Sequence, residues 1–294
     1  MNVSYPKISI VTACYNHAPF VSETIESILS QGYPNLEYIV IDDGSTDGSW
    51  EVIERYRDRL AVCERLDGYR DTPVIALNRG FEKTTGEILM FLNSDDVLLP
   101  KSLFVIARIF QEHPEVEWFT GMATTINRRS EIVNSRLRMK HRYDYLIGNW
   151  KVIQQESTAW RRSLWERVGG KLEGEKKWAF DTELWTRFFQ YAEHYHVTTP
   201  IGAFRSGQQS KSVSDLASFM EPNLFYLKRF RQRATSPMCT RATMYRLMSL
   251  VRPLFSLIPY KLYKHIPFFH LFGYRVLEYS FSHDRWDATI HNPF

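Results

Sequence analysis

The sequence has few cysteines and no long apolar run. Its three cysteines, Cys14, Cys63 and Cys239, are odd in number, far apart and in no metal-ligand spacing, which favours reduced, structural thiols in a reducing compartment. The most apolar stretch, residues 247–260, is interrupted by an arginine and two prolines, and no run approaches the ~20 continuous apolar residues that span a membrane. Residues 1–7 have no apolar core typical of a signal peptide. We therefore expect a cytoplasmic protein.

The common phosphate-binding signatures are absent as well. There is no Gly-rich dinucleotide fingerprint and no phosphate loop that ends in Gly-Lys-Ser or Gly-Lys-Thr. The nine histidines include no His-x-x-x-His pair that could bind a metal on one face of a helix. A phosphate bound by this chain would therefore have to be neutralised by a metal ion and by basic side chains.

The basic excess lies in the C-terminal part of the chain. The net charge is +4, with 37 Lys and Arg against 33 Asp and Glu. Residues 215–294 hold 11 basic and 5 acidic residues, whereas residues 1–214 hold 26 and 28. Basic residues mixed with aromatic, Pro-broken apolar segments suit docking on an anionic membrane surface. The alternative is a small helical bundle that packs on the rest of the chain or on a homodimer partner.

Short apolar segments alternate with amphipathic ones along the first part of the chain. Strands are predicted at 8–13, 38–41, 61–66 and 88–92, and helices at 20–31, 50–57, 74–85 and 100–111. This alternation implies right-handed crossovers and a mostly parallel sheet. The predicted fold class is therefore α/β, with a sheet flanked by helices.

Polar turns follow three of these strands, at residues 12–16, 42–47 and 93–96. Ligands bind beyond the carboxyl ends of the strands in such sheets, so one cleft can collect all three turns. Asp95 and Asp96 stand side by side after an apolar strand, where their carboxylates repel each other unless a cation lies between them. Mg²⁺ or Mn²⁺, bound together with a diphosphate, suits this pattern. The alternative is a surface turn in which Asp95 caps the helix that Pro100 opens.

Five motifs recur in order and carry a resemblance to a known family. They are Ser9-Ile10-Val11-Thr12-Ala13-Cys14-Tyr15-Asn16, Ile41-Asp42-Asp43-Gly44-Ser45-Thr46-Asp47, Asn78-Arg79-Gly80, Thr85-Gly86-Glu87 and Phe91-Leu92-Asn93-Ser94-Asp95-Asp96. Over roughly residues 7–212, the chain closely resembles family 2 of the inverting nucleotide-sugar glycosyltransferases. The resemblance implies a Rossmann-like fold of the A type, a nucleotide-diphosphate-sugar donor and a divalent cation.

The resemblance also assigns roles at the donor site. Asp43 falls where the family holds the nucleoside, and Asn93-Ser94-Asp95 falls on the family's Asp-x-Asp motif, which binds ribose and metal. Because its first position is asparagine here, we expect Asn93 to hydrogen-bond the ribose or a metal-bound water and Asp95 to be the metal ligand. The predicted nucleotide-sugar contacts are Thr12, Ala13, Tyr15, Asn16, Asp43, Asn78, Asn93, Ser94, Asp95, Arg205 and Lys211, with Asp42, Asp67, Asp96, Gln155, Glu156 and Glu183 as secondary candidates.

The second half of the match resembles the family's acceptor region. Residues 154–162 look like the segment beneath the donor sugar, and residues 180–188 look like the acidic motif at a helix start. Inversion needs one carboxylate that takes the proton from the acceptor hydroxyl, and by position Asp181 is the predicted catalytic base. The family usually has Glu before this Asp, but here the residue is Phe180, so Glu183 stays a rival. A further alternative makes Asp181 a helix N-cap.

A basic loop at residues 205–212 resembles the loop that closes the family's donor site. Arg205 and Lys211 are predicted to neutralise the departing nucleoside diphosphate there; the alternative is an ordinary solvated loop. Processive synthases of the family normally carry a Gln-x-x-Arg-Trp motif and several membrane spans, whereas Gln208 and Gln209 lead to no Arg-Trp. The resemblance therefore implies a non-processive enzyme.

The chain is accordingly divided into a catalytic domain at 1–214, with a nucleotide-binding half at 7–115 and an acceptor half at 116–214, and a basic, aromatic helical region at 215–294. The expected reaction moves a hexosyl or N-acetylhexosaminyl group from a nucleotide donor, with UDP as the family's commonest nucleotide. The expected acceptor is a glycan or polyprenyl-diphosphate-linked glycan in bacterial cell-surface polysaccharide biosynthesis. We expect a membrane surface and no nucleic acid as partner, with a peripheral place on the cytoplasmic face. The alternative is a catalytically silent, membrane-peripheral scaffold or nucleotide-binding protein that keeps the fold.

Overall fold

The computed structural model describes residues 5–68, 72–176, 178–207, 216–250 and 271–291. Its strands are β1 (Ile8–Cys14), β2 (Leu36–Asp42), β3 (Val62–Arg65), β4 (Ile88–Phe91), β5 (Val97–Leu98), β6 (Trp118–Ile126), β7 (Ile132–Arg136), β8 (Thr158–Arg161), β9 (Tyr195–Arg205), β10 (Tyr274–Ser280) and β11 (Arg285–His291). Its helices are α1 (Val21–Leu29), α2 (Ser49–Glu54), α3 (Val74–Phe81), α4 (Ser102–Glu112), α5 (Arg142–Ile147), α6 (Arg162–Arg167), α7 (Phe180–Tyr191), α8 (Leu216–Arg233) and α9 (Ser236–Leu250). Single turns of 3-10 helix lie at Arg57–Arg59 and Gln155–Ser157. Within the described ranges, the strands form one sheet in the order β11-β10-β9-β6-β8-β4-β1-β2-β3, with β5 paired to β9 and β7 paired to β6.

The nucleotide-binding half of the sheet forms as the sequence predicts. β3, β2, β1 and β4 lie side by side and are all parallel. The predicted helices of this half are present with shifted ends. The helix predicted from residue 100 begins at Ser102, because Lys101 adopts a left-handed backbone conformation with φ 66°, which a helix interior does not tolerate.

The central strands separate two apolar cores. Successive side chains of a strand point to opposite faces. Val11 of β1 therefore packs in one cluster with residues of α3 and α7, whereas Ile10 packs in the other with residues of α1 and α4. Strands that are covered on both faces read as continuous apolar runs, which is why β1, β2 and β4 are recognisable in the sequence.

The acceptor half of the sheet is mixed, so the expectation of a mostly parallel sheet is wrong there. β8 runs antiparallel to both of its neighbours, β4 and β6, whereas β6 and β9 are parallel. β5 and β7 add further antiparallel pairs. An antiparallel strand needs no long crossover connection, unlike a parallel one. β8 accordingly begins directly after the 3-10 helix Gln155–Ser157.

The C-terminal region is not the purely helical appendage that was predicted. α8 and α9 are helices, but β10 pairs in parallel with β9, and β11 folds back on β10 as an antiparallel hairpin. Val276 and Leu277 of β10 are fully buried. The alternating apolar and polar residues of β11 are the sequence signal for this hairpin. The region is therefore joined to the main sheet by strand pairing.

No helix in the described parts of the chain is long and apolar enough to cross a membrane. Residues 251–270, which hold most of the apolar segments predicted to dock on a membrane surface, lie outside the described residues.

Candidate active site

The turn after β1 is hydrogen-bonded directly to the turn after β2. Asn16 takes a left-handed backbone conformation with φ 55°, which asparagine adopts more readily than most residues. Its main-chain N–H donates to Ser45 Oγ at 3.0 Å, and its Oδ1 accepts from the Thr46 N–H at 2.8 Å. The next N–H, of His17, donates to Ser49 Oγ at 2.9 Å. These bonds fix the first two polar turns against each other.

His17 links these two turns to the third, which follows β4. Its Nδ1 lies 2.8 Å from Ser94 Oγ and 3.9 Å from Asp95 Oδ1. The side chains of His17 and Asp95 are 35% and 31% exposed, so both are open to a ligand. His17 is not among the site residues predicted from the sequence. Its position directly after Asn16, in the first polar turn, is the sequence feature that indicates it. The three predicted turns thus meet at one edge of the sheet.

Two adjacent carboxylates shape the second turn. Asp42 is fully buried, its Oδ2 accepts from the Ser45 N–H at 3.0 Å, and the same oxygen lies 3.4 Å from Arg65 Nε. Asp43 is 1% exposed, and its main-chain N–H donates to the Cys14 carbonyl at 2.8 Å. Asp42 therefore supports the turn from inside, while Asp43 is held next to the first turn by its backbone.

Gly44 allows a second loop to pack against this turn. Its φ is 76°, and a Cβ at this position would lie 2.8 Å from Gly68 Cα, so no larger residue fits. Asp67, which precedes Gly68, is exposed. The predicted candidate Asp67 thus lies at the outer rim of the second turn.

The third turn is organised around Asp96, which is fully buried. Its Oδ2 accepts from Asn93 Nδ2 at 3.2 Å and from Gln155 Nε2 at 3.0 Å. Its Oδ1 accepts from the main-chain N–H of Arg205 at 2.9 Å. Burial raises the pKa of Asp96, the nearby Asp95 and Glu156 add to that shift, and the hydrogen bonds from Arg205 and Asn93 oppose it. Asp96 and Gln155 therefore hold the turn from beneath, and Asp95 is its partly exposed carboxylate.

Arg205 is buried and hydrogen-bonded within the fold. It is the last residue of β9 rather than part of a loop, and it is only 4% exposed. Its guanidinium donates to the Asp95 carbonyl at 2.7 Å, to Ser130 Oγ at 2.9 Å and to Glu23 Oε2 at 2.8 Å. In this structure its donors fasten the third turn, so its part in neutralising a diphosphate stays a prediction. Lys211 lies outside the described residues.

The side chains of two further predicted contact residues form hydrogen bonds within the fold. Thr12 is fully buried, and its hydroxyl lies 3.0 Å from Tyr38 Oη. The side chain of Asn78 pairs with the main chain of Leu172, with Nδ2 donating at 2.9 Å and Oδ1 accepting at 2.8 Å. The side chains of Thr12 and Asn78 are therefore bonded within the fold, and the contact of these two residues with a nucleotide sugar stays a prediction. The predicted residues that are partly exposed in the three turns are Ala13, Tyr15, Asn16, Asn93 and Asp95, and Ser94 is buried.

Asp181 lies in the first turn of α7 and is partly exposed. The N-cap of this helix is Ala179, so the interpretation of Asp181 as an N-cap is wrong. Its Oδ1 accepts from the Thr182 N–H at 2.7 Å. Desolvation raises the pKa of Asp181 to about 6. The carboxylate is thus ionised at neutral pH and more basic than an ordinary aspartate, as a general base requires.

Glu183 is not available as a rival base. It is 2% exposed, and its carboxylate accepts from Arg187 Nε at 2.9 Å and from Arg187 Nη2 at 2.7 Å. The same guanidinium donates to the carbonyls of Val168 and Lys171. This buried ion pair ties α7 to the loop after α6. The rival assignment is wrong because breaking such a pair leaves an uncompensated buried charge.

Glu156 is a buried carboxyl whose pKa responds to both Asp181 and Asp95. It lies in the 3-10 helix Gln155–Ser157 and is 2% exposed. Burial raises the pKa of Glu156 to about 8; Lys140 opposes this shift, and Asp181 and Asp95 add to it. Both aspartates therefore lie within electrostatic range of one buried carboxyl, so the predicted base and the predicted metal ligand belong to one region.

The residues of this region fit a cation that is shared with a diphosphate. In the parts of the chain described here, no group of three or more His, Cys, Asp or Glu side chains is placed to hold a metal ion. Mg²⁺ and similar cations are often held by one or two carboxylates, with substrate phosphates and water completing the shell. Asp95 offers one such carboxylate, with His17 beside it. The donor set therefore suits a cation that arrives with a diphosphate and does not form a closed protein cage.

Known proteins with similar sequences point to one family. A family model described as Glycosyl transferase family 2 matches residues 9–168. An uncharacterized glycosyltransferase of Nostoc sp. is 32% identical over 157 residues, which is 52% of this chain and 41% of that protein. The UDP-Glc:alpha-D-GlcNAc-diphosphoundecaprenol beta-1,3-glucosyltransferase WfaP of Escherichia coli is 37% identical over 89 residues, 30% of this chain and 35% of that protein. The chain spans less than half the length of these curated relatives.

Solved structures share the fold. TarS 1-349 of S. aureus in complex with UDP-GlcNAc superposes with a TM-score of 0.59 and 18% identity, over 71% of this chain and 61% of that chain. The mannosyltransferase PcManGT from Pyrobaculum calidifontis, in complex with GDP-Man and Mn²⁺, gives a TM-score of 0.53 at 19% identity, over 89% of this chain and 84% of that chain. The shared architecture is the mixed sheet with flanking helices of the A-type glycosyltransferase fold. Since the family model covers more than half of the sequence, from β1 to just beyond α6, the chain belongs to glycosyl transferase family 2.

Proposed function

We propose that the protein is an inverting, non-processive glycosyltransferase that moves a sugar from a nucleotide-diphosphate donor to a glycan or lipid-linked glycan. The observation that supports this most is the meeting of the three polar turns at one sheet edge. Asp95 and Asp181 also both raise the pKa of the buried Glu156 carboxyl. Membership of glycosyl transferase family 2 supports glycosyl transfer as the reaction class.

The donor would lie along the three turns. Its nucleoside would contact the second turn at Asp43, next to Asn16, and its diphosphate would lie at the third turn near His17 and Asp95. Asp95 would hold a Mn²⁺ or Mg²⁺ ion, which neutralises charge on the leaving diphosphate when bound. This placement follows the rule that ligands of open α/β sheets bind beyond the carboxyl ends of the strands.

Asp181 would act as the general base. It takes the proton of an acceptor hydroxyl while the hydroxyl oxygen attacks the anomeric carbon from the face opposite the diphosphate. The bond from the anomeric carbon to the diphosphate oxygen breaks, and its electron pair leaves with the nucleoside diphosphate. The proton remains on Asp181. One such displacement inverts the anomeric configuration.

UDP is the proposed donor nucleotide, and a polyprenyl-diphosphate-linked glycan is the proposed acceptor. The name of WfaP gives a UDP-Glc donor and a diphosphoundecaprenol-linked acceptor, and TarS was solved with UDP-GlcNAc. These names support hexosyl or N-acetylhexosaminyl transfer in polysaccharide biosynthesis as the setting.

The reaction is tested by measuring nucleoside diphosphate release from UDP-Glc, UDP-GlcNAc and GDP-Man in the presence of Mn²⁺. At least one donor should be turned over by the wild type, and Asp181→Asn and Asp95→Ala should lower the rate by about 100-fold or more. Asp58→Asn, at an exposed position, is the matched control and should leave the rate unchanged. Wild-type rates in both site variants would refute the residue assignments. Nucleotide binding without any turnover would favour a catalytically silent, nucleotide-binding protein.

We further propose that the C-terminal region docks on an anionic membrane surface at the cytoplasmic face, close to a lipid-linked acceptor. α9 exposes three apolar side chains at a spacing of three residues, Met244, Leu247 and Leu250, which are 41%, 58% and 73% exposed. Arg241 and Arg246 lie on the same helix. Apolar and basic side chains on one surface helix suit shallow insertion among anionic headgroups.

Flotation with vesicles tests this docking. The full chain should float with vesicles that contain phosphatidylglycerol and should remain at the bottom with pure phosphatidylcholine. Leu247→Ser combined with Leu250→Ser should lower the floated fraction, because both side chains are exposed and their loss leaves the core intact. Equal flotation of this variant would contradict the role of α9, and failure of the full chain to float would contradict the docking itself.

A further inference from the structure

A buried carboxyl and a buried lysine next to the active site have no part in the reaction described above. Glu156 is 2% exposed and Lys140 is 1% exposed. Lys140 precedes α5, and its main-chain N–H donates to His196 Nε2 at 2.8 Å. The two side chains act on each other electrostatically. Charged residues are rarely buried so deeply unless a partner compensates for the lost water.

The backbone of Glu156 is fixed by its neighbours. The side chain of Gln155 donates to Asp96 Oδ2 at 3.0 Å, and Ser157 Oγ donates to the Gly202 carbonyl at 3.0 Å. A Cβ on Gly202 would lie 2.1 Å from the Glu156 carbonyl oxygen, so β9 approaches closely only because this residue is glycine. Glu156 is therefore held in place from both sides.

One oxygen of this carboxyl has no hydrogen-bond partner. Among the residues that the structure describes, Glu156 Oε1 is buried and makes no hydrogen bond. Buried side-chain oxygens are normally hydrogen-bonded, and an exception in a native protein indicates strain, a missing water or a ligand. The charges of Asp95 and Asp181 both raise the pKa of the carboxyl that carries this oxygen, and the neighbouring Gln155 is hydrogen-bonded to Asp96 of the third turn.

This region is where the proposed function requires the sugar of the donor. The diphosphate lies at Asp95 and the base is Asp181, so the transferred sugar must lie between them. A hydroxyl or an amide N–H of that sugar is a hydrogen-bond donor that matches the unpartnered oxygen. A buried carboxyl oxygen that accepts such a bond discriminates against a ligand that lacks the donor, because the oxygen is then left unpaired.

We propose that Glu156 is a sugar-recognition residue whose Oε1 accepts a hydrogen bond from a hydroxyl or acetamido N–H of the transferred sugar. Burial raises the pKa of Glu156 to about 8 and lowers that of Lys140 to about 7, so at neutral pH the Glu156 carboxyl is mainly protonated and Oε1 accepts as its carbonyl oxygen. The ligand class is a hexosyl or N-acetylhexosaminyl group carried by a nucleoside diphosphate. This inference rests on the proposed function, since it places the sugar between Asp95 and Asp181.

Binding calorimetry with and without the sugar tests this role. The probes are UDP, UDP-Glc, UDP-GlcNAc, GDP and GDP-Man, each in the presence of Mn²⁺. Glu156→Ala should bind the bare nucleotide as the wild type does and should bind the matching nucleotide sugar about 10-fold or more weakly. Glu156→Gln keeps an oxygen acceptor and the side-chain volume, so its loss should be smaller. Glu156→Met, which keeps most of the side-chain volume and has no oxygen acceptor, provides the measurement if Glu156→Ala does not fold.

Glu183→Ala is the control for general destabilisation. Glu183 is as buried as Glu156, but its carboxylate is already bonded to Arg187. Glu183→Ala should lower the unfolding temperature and leave the ratio of nucleotide-sugar affinity to nucleotide affinity unchanged. If Glu156→Ala leaves the ratio of nucleotide-sugar affinity to nucleotide affinity unchanged, this inference is overturned while the proposed function stands. Failure of the wild type to bind any probe would overturn the proposed function with it.

Discussion

Asn93 Nδ2 lies 3.2 Å from Asp96 Oδ2, so the first position of the Asn93-Ser94-Asp95 motif holds a hydrogen-bond donor that faces a buried carboxylate. The charge of Asp95 already acts on Asp96 in this turn. An aspartate at position 93 would add a third carboxylate to the same turn. Asparagine at position 93, where the family pattern has aspartate, therefore gives Asp96 a hydrogen-bond donor instead of a third negative charge in the turn. Asp95 remains the partly exposed carboxylate.

Asn93→Asp should destabilise the native state by about 1–3 kcal/mol at pH 8, because it replaces a donor to a buried carboxylate with a second carboxylate. The pKa of the new group would be raised in the folded protein, so the destabilisation should grow as pH rises above the normal range of aspartate and should be smaller at pH 5. Urea unfolding at the two pH values measures this. Asn93→Ala, which removes the donor without adding charge, is the control; a pH-independent loss that equals that of the alanine variant would contradict the account.

Arg205→Ala should lower the free energy of unfolding by about 2–3 kcal/mol, because the buried guanidinium fastens the third turn to Glu23 and to the Ser130 loop. Thermal and urea unfolding measure the loss. Arg128→Ala, an exposed arginine close to the same loop, should leave stability unchanged. Wild-type stability with a selective loss of nucleotide affinity would instead make Arg205 a diphosphate ligand.

The transfer rate should rise with pH through about 6 and level off above it, because the base must be ionised and desolvation raises the pKa of Asp181 to about 6. The measurement is the initial rate with saturating donor between pH 5 and pH 8. Asp181→Asn should lose about 100-fold or more in rate at pH 7.5 and should lack this rise. A wild-type profile that falls with rising pH over this range would mean that a protonated group is required instead.

The C-terminal region should be essential for folding rather than a separate appendage. Tyr245 of α9 and Tyr274 of β10 donate to the two oxygens of the buried Asp144 carboxylate at 3.2 and 3.3 Å, and Asp144 takes part in the capping box of α5. A chain that ends at residue 214 loses both donors and the pairing of β10 with β9, so it should fail to unfold cooperatively in thermal melts.

Tyr245→Phe removes only one of these donors and should cost about 1–2 kcal/mol. Its melt shows whether the contact stabilises the whole chain or the C-terminal region alone. A cooperative, near-wild-type melt of the chain that ends at 214 would support the domain boundary that the sequence suggested.

The strands and turns of the nucleotide-binding half were predictable because their signals are local. β1, β2 and β4 are covered on both faces and read as apolar runs. Each is followed by polar residues, and parallel strands bring those turns to the same edge. The meeting of three turns therefore follows from pattern and topology alone.

The directions of individual side chains were not predictable in this way. The hydroxyl of Thr12 is turned to Tyr38, and the amide of Asn78 pairs with Leu172, 94 positions away. The backbone of Arg205 meets Asp96, 109 positions away. Such partners depend on the register of distant strands and loops, which no local pattern records.

The C-terminal hairpin was missed for a related reason. β10 pairs with β9 across a stretch of about 70 residues, and the described part of that stretch includes α8 and α9. The helical and Pro-broken segments before it dominate the pattern of the region, whereas the alternation in β11 covers only seven residues. A short alternating segment does not indicate which strand it will join.

Nucleotide binding with and without Mn²⁺ in the wild type and in Asp95→Ala tests the shared site most directly. Calorimetry should show that Mn²⁺ strengthens the binding of UDP or GDP to the wild type by about tenfold or more, equivalent to ~1.4 kcal/mol. In Asp95→Ala, Mn²⁺ should have no effect on binding, because the cation is held jointly by this carboxylate and the diphosphate. The exposed control Asp58→Asn should keep the wild-type response. An equal effect of Mn²⁺ in Asp95→Ala, or the absence of nucleotide binding by the wild type, would contradict the account.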